Sequence, residues 1–249
     1  MKAFPMNKLN FFSFKNFSPE KNMQIDNRFL RKKDGFYFRL YGWKPAGVSI
    51  GISQAEEKVC NAEYCREKGI PIVKRITGGG AVYHKNDITY MFSAPLNYFA
   101  DKSVVGIYRE VASVLMKVFS LLGIQCQFAG EVKKEVRRQG MKNGIACFLL
   151  PSDYEILVNG KKIVGNALRV ERGRILQHGS IAYSFDYRET AVVLNTDAEK
   201  LKKRVVSLKE LNPSLGIPDV EKAFLQSFSE MGFEIDVKKL SSAFNGDFF

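Results

Sequence analysis

Residues 145–183 read IACFLLPSDYEILVNGKKIVGNALRVERGRILQHGSIAY, and their turn signals decide the fold. YEILVNGKKIVGNALRV carries apolar residues on both sides of Asn159-Gly160. That pair tolerates the positive φ angles of a two-residue turn, so it predicts a β-hairpin. Glu171-Arg172-Gly173 leads into a further strand, RILQHGSIAYSF. On a strand, Lys161 and Lys162 point to opposite faces. Either one of them projects over a pocket while the other is solvated, or both are surface lysines at a hairpin tip. Cys147 stands off the regular elements, between a charged stretch and Pro151. It is either a small buried hydrophobe or a thiol made reactive by a nearby cation.

Upstream, FFSF predicts a strand, and Ser18-Pro19-Glu20 signals the start of a helix through MQIDNRFLRK. FYFRLYGW (36–43) and VSIGISQ predict strands separated by a turn at Lys44-Pro45-Ala46-Gly47. A short helix is expected from Glu56 to Lys68, stopped by Gly69. IPIVKRI reads as a buried strand, and AVYH with ITYMFSAP as a strand pair joined through Lys85-Asn86-Asp87. In SVVGIYREVASVLMKVFSLLG, Val104, Ile107, Tyr108, Val111, Val114, Leu115, Val118 and Leu122 recur at helical spacing, the mark of a core-facing helix. QCQFAG predicts a short strand. GEVKKEVRRQGMKNG has no apolar period and reads as a surface loop that orders on a partner. Two helices follow near Ala198–Val205 and Val220–Met231, before FEIDVKKL. Antiparallel runs of strands with helices grouped between them give an α+β fold, a mixed and largely antiparallel sheet covered by helices. The absence of repeats and linkers predicts one domain over residues 1–249.

Arg75-Ile76-Thr77-Gly78-Gly79-Gly80 leaves one predicted strand and enters another. Nucleotide-binding glycine loops run into a helix, so this is neither of the common ones. Three residues without Cβ let a ligand lie against backbone amides, or else simply turn a corner. Lys74 and Arg75 would suit a phosphate or an acyl carbonyl there. The two histidines, His84 and His178, each follow an apolar strand and are either general bases or satisfied structural imidazoles. No third group stands at metal-ligand spacing, so no metal is expected.

The 249 residues include four cysteines at irregular spacing, which make neither a disulfide framework nor a zinc signature and suit a cytoplasmic protein. Cys60, Cys65 and Cys126 are expected to be buried and inert. There is no apolar stretch of membrane-spanning length, and no secretion signal is expected. The formal charge of +12 attracts polyanions or acidic proteins. A basic nucleic-acid-binding protein is one reading; no RNA- or DNA-binding signature accompanies the charge, so an acidic protein partner is the expectation.

Taken together, RITGGGAVYH, KKIVGNA and ILQHGSI resemble the glycine loop, the lysine motif and the histidine-glycine strand of the lipoate and biotin protein ligase superfamily. FRLYGWKPAGVSIGISQ and SPEKNMQID are similar to its N-terminal strand and helix. Within that superfamily, ACFLLPSDYE resembles the cysteine segment of the Gram-positive type octanoyltransferases, with Lys162 fifteen positions after Cys147.

The resemblance implies a ligase-type catalytic domain without an accessory C-terminal domain. It implies transfer of an octanoyl group from octanoyl-acyl carrier protein to a lysine of an acidic lipoyl-type domain, such as glycine cleavage H protein. Cys147 and Lys162 would be catalytic. Arg75, Gly78, Gly79, Gly80, His84, Gly165, Asn166, Ala167, His178 and Gly179 would bind substrate, with no cofactor and no metal. The alternative is an ATP-dependent lipoate-protein ligase, whose Lys162 and Gly78–Gly80 loop would handle ATP and Mg; GGGAVYH is that group's wording. A biotin ligase is a third possibility.

Overall fold

A computed structural model describes residues 7–129 and 155–240. Strand β1 (Asn7–Phe17) is followed by α1 (Pro19–Leu30), whose first turn is capped by the Ser18 hydroxyl accepting from the Lys21 amide. Next come β2 (Phe36–Trp43) and β3 (Gly47–Ile50). Then follow short helices α2 (Glu56–Val59) and α3 (Ala62–Glu67), β4 (Ile72–Lys74), β5 (Val82–His84) and β6 (Ile88–Pro95). Helix α4 (Val104–Leu121) and strand β7 (Gln127–Phe128) complete the first described segment. The second segment begins with β8 (Ile156–Val158), β9 (Lys161–Glu171) and β10 (Arg174–Ile181). Helices α5 (Tyr187–Val193), α6 (Ala198–Arg204), α7 (Leu208–Leu211) and α8 (Ile217–Glu230) lead to β11 (Phe233–Lys238).

Eight strands form one sheet in the order β11-β1-β2-β6-β10-β9-β8-β7, and β4-β3-β5 form a second. The large sheet is antiparallel except where β1 pairs in parallel with β2 and β11. One face carries Phe38, Tyr90, Phe92, Ile175 and Val164, packed against the apolar sides of α4 and α8. The other face packs α1 through Ile25, Phe29 and Leu30 onto Phe12, Tyr41, Met91 and Leu176. The small sheet builds its own core with α3, α5 and α6, around Val48, Ile50, Cys65, Val193 and Leu201. Among the described residues no helix is long and apolar enough to cross a membrane.

Four local expectations change. β5 and β6 are not a strand pair: β5 joins the small sheet beside β3, and β6 lies in the large one between β2 and β10. Lys85–Asp87 is the crossing between them, cornered at Asn86 with φ +59°. The helix from Glu56 breaks at Cys60, because Asn61 accepts from the Tyr64 amide and caps a new helix. VSIGISQ stops being a strand at Ile50, where the Gly51 amide turns to the Gln54 side chain. Val104 is 55% exposed, being the first residue of its helix rather than part of the core face. Helices α5 and α7 have too few apolar repeats to be read, and owe their starts to Asp186 and to a Ser207–Glu210 capping box. The stretch 131–144 lies outside the described residues.

Candidate active site

The hairpin forms as its sequence demands, with Asn159 at φ +50° and Gly160 at +74°. One detail of its register decides where Lys162 points. Leu157 pairs with Lys162, yet Ile156 pairs with Val164, so Ile163 is an extra residue in β9. Ile163 and Val164 both enter the helix-covered core. This bulge puts Lys162 on the face opposite Val164, which is the face of Gly165 and Ala167. There Lys162 is 3% exposed and its Nζ lies 2.5 Å from Glu155 Oε1. Its carbonyl accepts from the Val206 amide at 3.0 Å, and its backbone bridges Val205.

That face continues across the sheet in two rows. Gly165, Ser180, Thr89 and Tyr41 are register partners in succession; so are Ala167, His178, Met91 and Arg39. Between these rows and the small sheet lies a cleft whose empty space, counting its mouth, is about 350 Å³. Its lining brings together Arg75, His84, Gly165, Asn166, Ala167, His178 and Gly179, and adds Met23, Trp43 and Ser49. Asn166 lines the cleft while its amide oxygen accepts from the Tyr90 hydroxyl, 2.7 Å away.

The glycine loop is stapled from behind. Arg75 donates to the carbonyls of Gly78 (2.8 Å) and Gly80 (2.7 Å), and to the Ser49 carbonyl and hydroxyl. Gly79 takes φ +92°, a conformation glycine adopts without steric cost. Gly78 and Gly79 are exposed, and an added Cβ on Gly78 would meet nothing within 4 Å.

Both histidines are held at both ring nitrogens. His178 Nδ1 lies 2.8 Å from Asp26 Oδ2, and its Nε2 lies 2.7 Å from the Thr77 hydroxyl. Asp26, fully buried on α1, also accepts from Arg39 and the Tyr41 hydroxyl. Burial alone would raise the Asp26 carboxyl, but Arg39, His178 and Tyr41 together hold it below its ordinary value. Burial pushes His178 down, against the pull of Asp26. A neutral ring donating from Nδ1 to the carboxylate then accepts from Thr77 at Nε2. His84 repeats the pattern: Nδ1 meets Asp87 Oδ2 and Nε2 meets the Ser49 hydroxyl, each at 2.8 Å. Asp87 Oδ2 also accepts from Thr89 and Ser180, and Trp43 stacks on the imidazole at 3.8 Å. Each imidazole thus ends on a group that fixes the glycine loop: Thr77 within it, and Ser49, which Arg75 grips.

Cys60 and Cys65 are buried as expected, with burial pushing the Cys60 thiol up to about 11; Cys126 is half-buried. Cys147, like Pro151 and Tyr154, lies outside the described residues. Among those described, no cluster of three His, Cys, Asp or Glu is placed to hold a metal. Asp26, Ser49, Thr77 and Asp87 were not among the candidates read from the sequence. Only Asp87, three residues after His84, offered a local signal.

The mixed sheet, the buried Lys162–Glu155 pair on one of its faces and the cleft against the small sheet belong to an α+β catalytic domain of the lipoate-ligase type. Solved structures agree on the fold. A lipoate-protein ligase A bound with ATP superposes with a TM-score of 0.75 at 21% identity, covering 98% of this chain and 96% of that one. A lipoate protein ligase from T. acidophilum with bound lipoic acid gives 0.76 at 21%, covering 96% and 92%. The lipoyl protein ligase A/B catalytic domain matches residues 18–229, and the chain belongs to that family. Among its relatives, the octanoyltransferase LipM of Macrococcus caseolyticus is 35% identical, over 80% of this chain and 76% of its own length. That of Staphylococcus epidermidis is 31% identical, over 93% and 89%.

Proposed function

We propose that this chain transfers an octanoyl group from octanoyl-acyl carrier protein to a lysine on a lipoyl-type domain, such as glycine cleavage H protein, through a thioester on Cys147. It is an acyltransferase of lipoate biosynthesis, in line with relatives bearing the octanoyltransferase name over most of its length. The observation that carries the mechanism is Lys162, buried beside Glu155 on the sheet face whose Gly165 and Ala167 line the cleft.

In the first step the Cys147 thiolate attacks the thioester carbonyl, and the carrier leaves as a thiol after taking up a proton. The Lys162 ammonium favours the thiolate and supplies that proton. In the second step the acceptor's neutral ε-amine attacks the acyl-enzyme, Cys147 leaves as thiolate, and the proton lost by the amine returns to the Lys162 amine that gave one up in the first step. Amide formation from a thioester runs downhill, so the reaction requires neither ATP nor metal. Backbone amides of the glycine loop or of Gly165 are suited to receive the oxyanion. The charge of +12 favours encounter with acidic carrier and acceptor domains.

A second reading is favoured by the open space over Gly78 and by the fold shared with an ATP-bound ligase. In it, Lys162 binds the carboxyl of a free acid activated by ATP with Mg, and Cys147 is idle. Incubation with octanoyl-acyl carrier protein, without ATP, followed by intact-mass measurement separates the two. An octanoyl adduct that disappears in Cys147→Ala, together with loss of transfer, is expected. Full transfer by Cys147→Ala, or transfer only from free octanoate with ATP, would refute the transferase reading.

A further inference from the structure

Glu155 stands immediately before β8, and its backbone carbonyl accepts from the Ala129 amide at 3.0 Å. By strand alternation it shares a face with Leu157, the register partner of Lys162. The bulge at Ile163 is what brings Lys162 onto that same face. The carboxylate and the ammonium therefore meet with side-chain exposures of only 7% and 3%. Both backbones are pinned, Glu155 at β7 and Lys162 at Val205–Val206. The pair cannot drift apart to seek water, and a buried ammonium stripped of its countercharge is strongly disfavoured.

We infer that Glu155 is a positioning residue for the acyl-transfer reaction: its carboxylate fixes the direction of the Lys162 Nζ. The inference rests on the reading that Lys162 serves the chemistry, and it assigns the form in which Lys162 serves. A lysine held this way offers its Nζ in one direction throughout the reaction. Removing the carboxylate's charge leaves the side chain in place but weakens its hold on the Lys162 Nζ. Binding of substrate is untouched by that change; the chemical step is not.

The test compares Lys162→Ala, Glu155→Gln and Glu155→Asp with the wild-type enzyme, measuring kcat and KM for octanoyl-acyl carrier protein and the melting temperature of each. Glu155→Gln is expected to lose part of the roughly 10²- to 10⁴-fold that a placed proton-transfer group contributes, about tenfold or more in kcat. KM should stay within about twofold, the signature of an interaction made in the transition state. Glu155→Asp keeps the charge but withdraws it by one methylene, about 1.5 Å, and is expected to fall between the two. Full activity in Lys162→Ala would overturn the reading of Lys162, and this inference with it. An inactive Lys162→Ala beside a Glu155→Gln of wild-type kcat would overturn this inference alone. So would a Glu155→Gln whose loss lies in KM. Should Glu155→Gln fail to fold, Glu155→Asp decides: a kcat lowered about threefold or more with KM unchanged supports the assignment, and a wild-type kcat overturns it.

Discussion

Substituting Gly51 tests how the glycine loop is held, because Gly51 is the surface against which that loop rests. A Cβ built on Gly51 would stand 2.3 Å from the Gly79 carbonyl oxygen and 3.2 Å from the Gly78 carbonyl carbon. Ordinary contact begins at 3.4 Å, so Gly51→Ala must drive the two backbones apart by about an ångström. Neither can yield cheaply. The Gly51 amide is tied to Gln54, and Arg75 grips the Gly78 and Gly80 carbonyls on either side of Gly79. Overpacking of this kind costs about 1–3 kcal/mol. A shift of that size would also carry an Arg75 bond out of range, and a hydrogen bond to a charged donor contributes about 1.5–3 kcal/mol. Gly78→Ala is the control, since its Cβ meets nothing and its stability should stay within about 0.5 kcal/mol of wild type. Urea denaturation of the three proteins measures both, alongside octanoyl transfer. The expected pattern is a Gly51 variant at least about 1 kcal/mol less stable and slower, and a Gly78 variant equally stable whose activity reports whether substrate passes over that residue. If Gly51→Ala matches wild type, or Gly78→Ala is equally destabilised, the loop is not held as argued.

Three further outcomes follow from the same interior. His178 has a lowered pKa in the fold, so the unfolded chain binds more protons as pH falls below about 6.5; stability is then lost with falling pH by up to about 1.4 kcal/mol per unit for this group. Denaturation midpoints at pH 7.5 and 5.5 should differ in wild type and converge in His178→Gln; an unchanged difference would remove His178 as the cause. The Asp26 carboxyl is lowered as well, so its contribution persists above about pH 3.9 and fails only as pH falls through the folded value. Gly179→Ala would place a Cβ 2.3 Å from Asn166 Oδ1 and 2.5 Å from the Tyr90 ring. It should cost about 1–3 kcal/mol in a thermal melt, and a wild-type melting temperature would contradict the packing.

What could be read from the sequence followed from short-range physics. The Asn159-Gly160 turn, the Ser18 cap and the helical period of Val104–Leu121 each involve residues a few positions apart, and each formed. The parallel pairing of β1 with β2 and β11 was hidden, because Asn7 and Phe233 meet only through a folded chain. The separation of β5 from β6 was hidden for a related reason. A three-residue link looks like a hairpin until its last residue, Asp87, is seen to gather His84, Thr89 and Ser180 from both sheets through its carboxylate. In the candidate site the residue types were legible and their partners were not. His178 and Asp26 are 152 positions apart, and no local pattern predicts that contact.

The facing of Lys162 shows why such a gap matters for chemistry. Strict alternation counted from Gly165 would put Lys162 on the face of Val164, inside the core that α4 and α8 cover. An unpaired ammonium there would meet only apolar side chains such as Ile156 and Val158. One additional residue, Ile163, corrects the count, and its side chain, which strict alternation would turn to the other face, joins Val164 in the core. The bulge is therefore favoured by the hydrophobic core on one side of the sheet and by the Glu155 carboxylate on the other. Both demands are satisfied by the same backbone irregularity, so the direction in which β9 presents Lys162 is set by packing as much as by charge. A lysine positioned in that way has its direction fixed before any substrate arrives, which is the condition under which a single cation can contribute to a transition state without first paying to be ordered.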